Sequence, residues 1–300
     1  MRILCPMSPE INRNFKVIID NGVDEFYMGY LMRDTPFGNH LSRRGGSRPN
    51  FDSLHHALEV IKKIKKYRKK VFITFNQKFY LEEHHDRILK DTKMLLENHI
   101  DGVIISDISL MLKMKEKFPG ISMIASTVRY SINRGSFNFF NSLGVSKFVL
   151  SGALNIDEIN EILKNNPEYE FEVFIKNEKC PNIDGLCSLS HEAIKSKHRT
   201  PCQGLKCNVK IPTRYNEMAC GACSIYDLIR TEGVSLKISG RPKSGEDISK
   251  DVVFIRNSMN ALESNPKMNR DEFSKITRES FKQIYGYDCG ENCYYKRGHK

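Results

Sequence analysis

Several features that would place this sequence quickly are missing from it. No stretch of its 300 residues approaches the ~18 consecutive apolar residues of a membrane-spanning helix, so no membrane span is expected. Residues 1–15 hold no apolar run of the kind that begins an export signal. A reducing, cytoplasmic setting is therefore expected, and a disulfide framework is not. There is no low-complexity linker and no internal repeat. Neither H-E-x-x-H nor G-x-S-x-G occurs, so two common signatures of hydrolytic chemistry are missing. His191–Glu192 has no second histidine at metal-ligand spacing, and His55–His56 and His84–His85 fall at helix starts, where surface positions are expected.

Cysteine, by contrast, is abundant and clustered. Six of the nine lie between Cys180 and Cys223, at Cys180, Cys187, Cys202, Cys207, Cys220 and Cys223. The spacing is C-x6-C-x14-C-x4-C-x12-C-x2-C. Thiolates are soft ligands that select zinc, copper(I) or iron–sulfur clusters. A cluster needs four thiolates and tolerates irregular spacing, because its ligands can come from different loops. Zinc fits Cys202, Cys207, Cys220 and Cys223, which approach a ribbon-like pattern. Buried structural thiols are the third reading. Cys289 and Cys293 form a further C-x3-C pair, which is either part of a second metal site or a pair of unligated thiols. Cys5 sits on the first strand and is expected in the core.

The net charge of +11 points to an anionic partner, RNA included, or to a lysine-rich surface. The densest run, residues 61–70, supports the surface reading. Its lysines fall on one face of a helix whose other face carries Leu54, Leu58, Ile61 and Ile64. The loop 31–50 is glycine-rich and basic, with Arg33, Arg43, Arg44 and Arg48 beside Gly45 and Gly46, and could receive an anion.

Strand and helix signals alternate along the chain. Strands are expected at 2–6, 25–29, 71–75, 102–106, 122–125, 147–150, 170–175 and 236–239. Helices follow at 12–21, 51–67, 83–98, 109–117, 133–143, from Asn155 onward, and at 224–231, 249–263 and 271–285. Asn155 and Glu158 make a capping-box-like start. Eight β-then-α units predict an α/β protein with a (β/α)8 TIM-barrel-like fold, intact or distorted, carrying the cysteine-rich segment 176–223 as an insertion after strand 7. An open α/β sheet is the alternative. Residues 1–265 are expected to form the barrel domain and 266–300 a C-terminal helix and cysteine-bearing tail packed on it. In such a barrel the working residues sit at the C-terminal strand ends. Asn76, Asp107, Lys237 and Arg241 are the candidate catalytic residues there. Asp107 suits a general base or a positioning role, and Lys237 and Arg241 suit a carboxylate or phosphate. For each, an ion pair in the barrel mouth is the competing structural role.

The order of these segments resembles the collagenase-like peptidase family, peptidase family U-32. The resemblance rests on residues 25–29, Asn76 in I-T-F-N, I-D-G-V-I-I-S-D at 100–107, Ala125–Thr127, Leu154–Ile159, Glu172, Phe174 and Cys180 with the x6 spacing to Cys187, and S-L-K-I-S-G-R at 235–241. It implies an iron–sulfur protein with a [4Fe–4S] cluster, zinc being the alternative. Cys180 and Cys187 would be the first two ligands, the third Cys202 or Cys207, the fourth Cys220 or Cys223. It also implies oxygen-independent hydroxylation, or a related redox modification, of a small aromatic molecule or an RNA base, in some members with a heteromeric partner of the same family. A peptidase, and a non-catalytic cluster- or zinc-binding partner subunit, are the alternatives. The chain departs from the family pattern at Ser151–Gly152, Lys176–Asn177 and Ser239, and no extra C-terminal domain of the longer members is expected.

Overall fold

A computed structural model describes residues 1–32, 41–42, 47–177, 179, 185, 219–289 and 293–295. The sequence expectations for Arg33, Arg43, Arg44, Cys180, Cys187, His191, Cys202 and Cys207 lie outside the described residues.

Eight parallel strands close into a barrel: β1 (Arg2–Pro6), β2 (Glu25–Met28), β3 (Lys70–Phe75), β4 (Gly102–Ile105), β5 (Met123–Ala125), β6 (Val145–Val149), β7 (Glu170–Lys176) and β8 (Val234–Ile238). Closure is explicit, because β8 pairs with β1 in the register Arg2↔Ser235, Ile3↔Leu236 and Leu4↔Lys237. The open-sheet alternative is thereby excluded. Successive side chains of a strand point to opposite faces. The helix-facing set is aliphatic and aromatic, as in Ile3, Cys5, Phe26, Met28, Val71, Ile73, Val173 and Leu236, all fully buried. Cys5 belongs to this core, as expected.

The inward set is different in kind. Leu4, Tyr27, Phe72, Ile104, Ile124 and Val149 pack together inside the barrel. Beside them, at inward positions, stand Glu25, Lys147, Glu172, Ser235 and Lys237, all at least 94 % buried. Buried charges survive only when paired, and these pair with one another.

The helices cover the barrel. Leu54–Lys66 buries Leu58, Ile61 and Ile64 and leaves its lysines outward, as its sequence pattern dictates. Asn155 caps Ile156–Asn165 through the expected reciprocal bonds with Glu158. The expected helix at 12–21 is instead two pieces, Pro9–Asn12 and Phe15–Asp20. Asn14 leaves helical geometry there with its side chain against Gly245, so packing with the helix Gly245–Ser264 overrides local propensity. The last helix, Arg270–Tyr285, packs on Gly245–Ser264 through Phe281 and Phe254, whose rings lie 5.5 Å apart. No helix among the described residues is long and apolar enough to cross a membrane.

One irregularity matters for the site. The β7–β8 register shifts between Phe174 and Lys176. Strict alternation would turn Lys176 inward with Glu172 and Phe174. Instead its Nζ lies 3.6 Å from Asp251 and 4.6 Å from the centre of the Tyr285 ring, both on covering helices. A bulge re-aims side chains in this way.

Candidate active site at the barrel mouth

Because all strands run the same way, the loops after their C-terminal ends share one face. Arg241, just past β8, is 4 % exposed there. Its Nη1 donates to Asn50 Oδ1 at 3.1 Å and to Thr74 Oγ1 at 3.2 Å, and its Nη2 donates to Ser42 Oγ. Those three acceptors come from the loop after β2 and from β3, and all three are neutral. They orient the guanidinium against the loops after β2 and β3. Ser42 Oγ in turn donates to Asn76 Oδ1 at 3.3 Å. Two of the four candidate catalytic residues, Arg241 and Asn76, thus meet through a serine. Gly29 is required beside them: a Cβ there would stand 2.5 Å from Asn50 Oδ1, 2.7 Å from Arg241 Nη1 and 2.8 Å from Thr74 Oγ1.

Lys237 belongs to the layer beneath. It pairs with Glu172 and stands 4.1 Å above the Tyr27 ring, which Arg241 overlooks at 6.0 Å. Lys147 donates to Glu25 at 3.1 Å and to Ser235 at 2.9 Å, and lies 3.5 Å from Glu172. Burial opposes ionisation of Glu172, but Lys237 and Lys147 outweigh it and hold its carboxyl below the usual range. The structure therefore gives Lys237 an ion pair and places it under the mouth.

Asp107 is the N-cap of the helix Ile108–Lys117. Its Oδ1 accepts from the Leu110 amide at 2.7 Å and its Oδ2 from the Tyr80 amide at 2.9 Å. It reaches the Arg241 group indirectly. Tyr80 Oη donates to the Leu41 carbonyl beside Ser42, and Gln77 Nε2 donates to the Ser42 carbonyl at 3.0 Å. His85 lies 3.5 Å from Asp107 and is 1 % exposed. This corrects the surface position expected for it. His85 shares a helix face with the buried Ile88, Leu89 and Thr92, so helical spacing carries it inward.

Several mouth residues carry no recognisable sequence signal. Ser42 lies in the middle and Asn50 at the end of the long loop 31–50, and Thr74 reads as an ordinary β-branched strand residue. Arg129 follows the Ala125–Thr127 match. Its Nη2 donates to the Lys78 carbonyl, while its Nε is buried with no hydrogen-bond partner among the described residues. Phe79, between Lys78 and Tyr80 in the loop after β3, is 73 % exposed.

Of the cysteine segment, the structure describes the return. The Gly221 amide donates to the Ile175 carbonyl at 2.8 Å, and Cys220 bridges antiparallel to Lys176. Both ends of the insertion therefore lie at the C-terminal end of β7, on the mouth. Cys220 and Cys223 are free thiols near Cys289 and Cys293.

Over 138 residues the chain is 30% identical to the tRNA hydroxylation protein P of Haemophilus influenzae, covering 44% of this chain and 29% of that protein. Over 205 residues it is 27% identical to the tRNA hydroxylation protein P of Helicobacter pylori, covering 66% of this chain and 44% of that protein. The chain thus spans less than half the length of these curated relatives. The solved structure of a U32 peptidase is similar in fold, with a TM-score of 0.52 at 12% identity over 80% of this chain and 93% of that one. The model of peptidase family U32 matches residues 12–299. With that match running almost end to end over a closed eight-stranded barrel, the chain belongs to peptidase family U32.

Proposed function

We propose that the chain takes part in oxygen-independent hydroxylation, or a related redox modification, of an RNA base at the barrel mouth. The observation that carries this reading is the loop after β3. It carries Lys78 and the exposed ring of Phe79, its Lys78 carbonyl holds Arg129, and its Asn76 is tied through Ser42 to the anchored Arg241. An exposed aromatic next to cations is what a splayed base and its phosphate require: the ring stacks on the base, and the cations meet the backbone. The similarity to tRNA hydroxylation proteins supports the same substrate class.

A [4Fe–4S] cluster is part of the proposal. Cys180 and Cys187 would hold it with two of Cys202, Cys207, Cys220 and Cys223. The donor set fits, because four soft thiolates suit iron–sulfur ligation and the insertion that carries them leaves from and returns to the mouth. When bound, such a cluster supplies electron transfer. The chain's own residues do the rest. Phe79 presents a stacking face, Arg241 and Arg129 favour anionic groups, and Asn76 offers an amide at the floor.

The test is anaerobic purification with iron and sulfide analysis, followed by RNA binding and nucleoside analysis. About four irons and four sulfides per chain are expected. Phe79→Ala should weaken binding of a single-stranded RNA by about 1–3 kcal/mol at unchanged melting temperature. A strain lacking the protein should lose a hydroxylated nucleoside that wild type restores and Arg241→Ala does not. An unaltered nucleoside profile with measurable peptide hydrolysis would replace this reading with a peptidase. Activity confined to a complex with a second family member would make the chain a partner subunit.

A further inference from the structure

Two cysteine pairs far apart in sequence meet at one place. Cys220 and Cys223 follow the return of the insertion onto β7, at the start of the short helical turn Ala222–Ser224. Cys289 and Cys293 lie beyond the last helix. The tail bearing them is fixed by backbone pairing: Cys293 bridges parallel to Cys220, and the Tyr294 amide donates to the Cys220 carbonyl at 2.8 Å. Its two tyrosines seal it down. The Tyr294 ring stacks on Phe174 at 6.0 Å and 6°, and Tyr295 Oη donates to the Phe174 carbonyl at 2.6 Å. Gly221 makes room, since a Cβ there would stand 3.2 Å from both tyrosines, and Gly152 does so too, at 3.0 Å from the Tyr294 ring. Gly152 is one of the departures from the family pattern, so the mouth has a local adaptation to this tail.

We propose that Cys220, Cys223, Cys289 and Cys293 form a second metal site that holds one divalent ion of the zinc class and fastens the C-terminal tail to the barrel. The ligands come as C-x2-C and C-x3-C, two short pairs from separate segments, the arrangement of closed structural zinc sites. The surroundings suit thiolates. The Ala222 amide faces the Cys220 sulfur, the Ser274 hydroxyl faces Cys223, and Lys176 and Arg278 stand near the pairs. Four thiolates around one dication leave two negative charges, and two cations flank them. The bulge that turns Lys176 out of the barrel delivers one of these cations.

Among the described residues no three such side chains already stand in a ligating array. The backbones of Cys220 and Cys293, however, are already paired. Paired strands lie about 4.8 Å apart and zinc sits ~2.3 Å from each sulfur, so one thiol of each pair is within reach of a shared ion, and Cys223 and Cys289 stand in the same neighbourhood. One consequence concerns the cluster. Removing Cys220 and Cys223 from its candidates leaves Cys180, Cys187, Cys202 and Cys207, a complete set of four.

Anaerobically purified full-length protein should hold about one zinc per chain in addition to iron. Cys289→Ser/Cys293→Ser should abolish that zinc and retain the iron, whereas Cys180→Ser/Cys187→Ser should do the reverse. Equal zinc in wild type and the tail variant would overturn the site, as would a second complement of iron in place of zinc. Should the tail variant fail to fold, alkylation of chelated wild-type protein decides the matter. Added zinc should protect Cys220, Cys223, Cys289 and Cys293 together, read by peptide mass spectrometry. Unchanged alkylation of Cys289 and Cys293 would overturn the proposal. Both readouts are independent of RNA modification, so they stand or fall apart from the proposed function.

Discussion

Glu172 shows how a single residue is tied to the whole barrel. It has no exposed surface and faces Lys237 and, at 3.5 Å, Lys147. Glu172→Gln leaves two ammonium groups with one fewer counter-charge in a dry interior, and breaking a buried pair from one side costs about 3–5 kcal/mol. Urea denaturation should show that loss, and a change below about 1 kcal/mol would mean the pair contributes no more than a surface one. The pH dependence follows from the sign. The folded carboxyl titrates below its unfolded value of about 4.3. Its stabilisation is therefore full above that value and is lost as pH falls through the folded one. The Gln variant should show a flatter acid limb. Asp107 poses a different question, because a carboxylate after a strand and before a helix reads equally well as base or cap. Its two oxygens accept the Leu110 and Tyr80 amides. Asp107→Asn keeps one of the two acceptors and sets an NH2 against the other amide, so it should cost about 1 kcal/mol, while Asp107→Ala should lose about 1–2 kcal/mol. An Asn variant that is fully stable and inactive would assign proton chemistry to this carboxylate.

At the scale of the elements, the β–α alternation was legible because period-2 and period-3.6 hydrophobicity are local properties. All eight strands fall where their apolar runs are, within one or two residues at each end. What could not be read is anything set by contacts across the barrel. Arg241 was visible in the S-L-K-I-S-G-R match, but its partners Ser42, Asn50 and Thr74 lie 167 to 199 residues away in sequence. The pairing of Cys220 with Cys293 and the turning-out of Lys176 are likewise tertiary events. Gly29 marks where an element's end is dictated by such contacts. Gly29→Ala drives a methyl group into Asn50, Thr74 and Arg241 at 2.5–2.8 Å. Overpacking of this kind costs about 1–3 kcal/mol and displaces the guanidinium. A lower melting temperature with weaker RNA binding is expected, and unchanged values for both would show that the Arg241 cluster yields freely.

For the molecule as a whole, a net charge of +11 says little until it is placed. The densest lysine run ends the helix Leu54–Lys66, which leads into the start of β3. That is the N-terminal face of the barrel, opposite the mouth. Lys62, Lys63 and Lys66 are exposed there and serve as a solvated rim. Among the described residues the mouth face carries Arg48 and Lys78, in the loops after β2 and β3, Arg129 after β5 and the anchored Arg241 after β8. RNA affinity should therefore depend on the second group. Log affinity should fall linearly with log salt, and each single-strand phosphate contact removed should reduce that slope by about 0.7. Lys62→Gln/Lys63→Gln/Lys66→Gln should leave slope and affinity close to wild type, while Arg48→Gln/Lys78→Gln should flatten the slope. If the rim variant flattens the slope and the mouth variant does not, the RNA runs along the wrong end of the barrel for chemistry at Arg241. A salt response flat in wild type would turn the substrate from RNA to a small aromatic molecule held within the mouth.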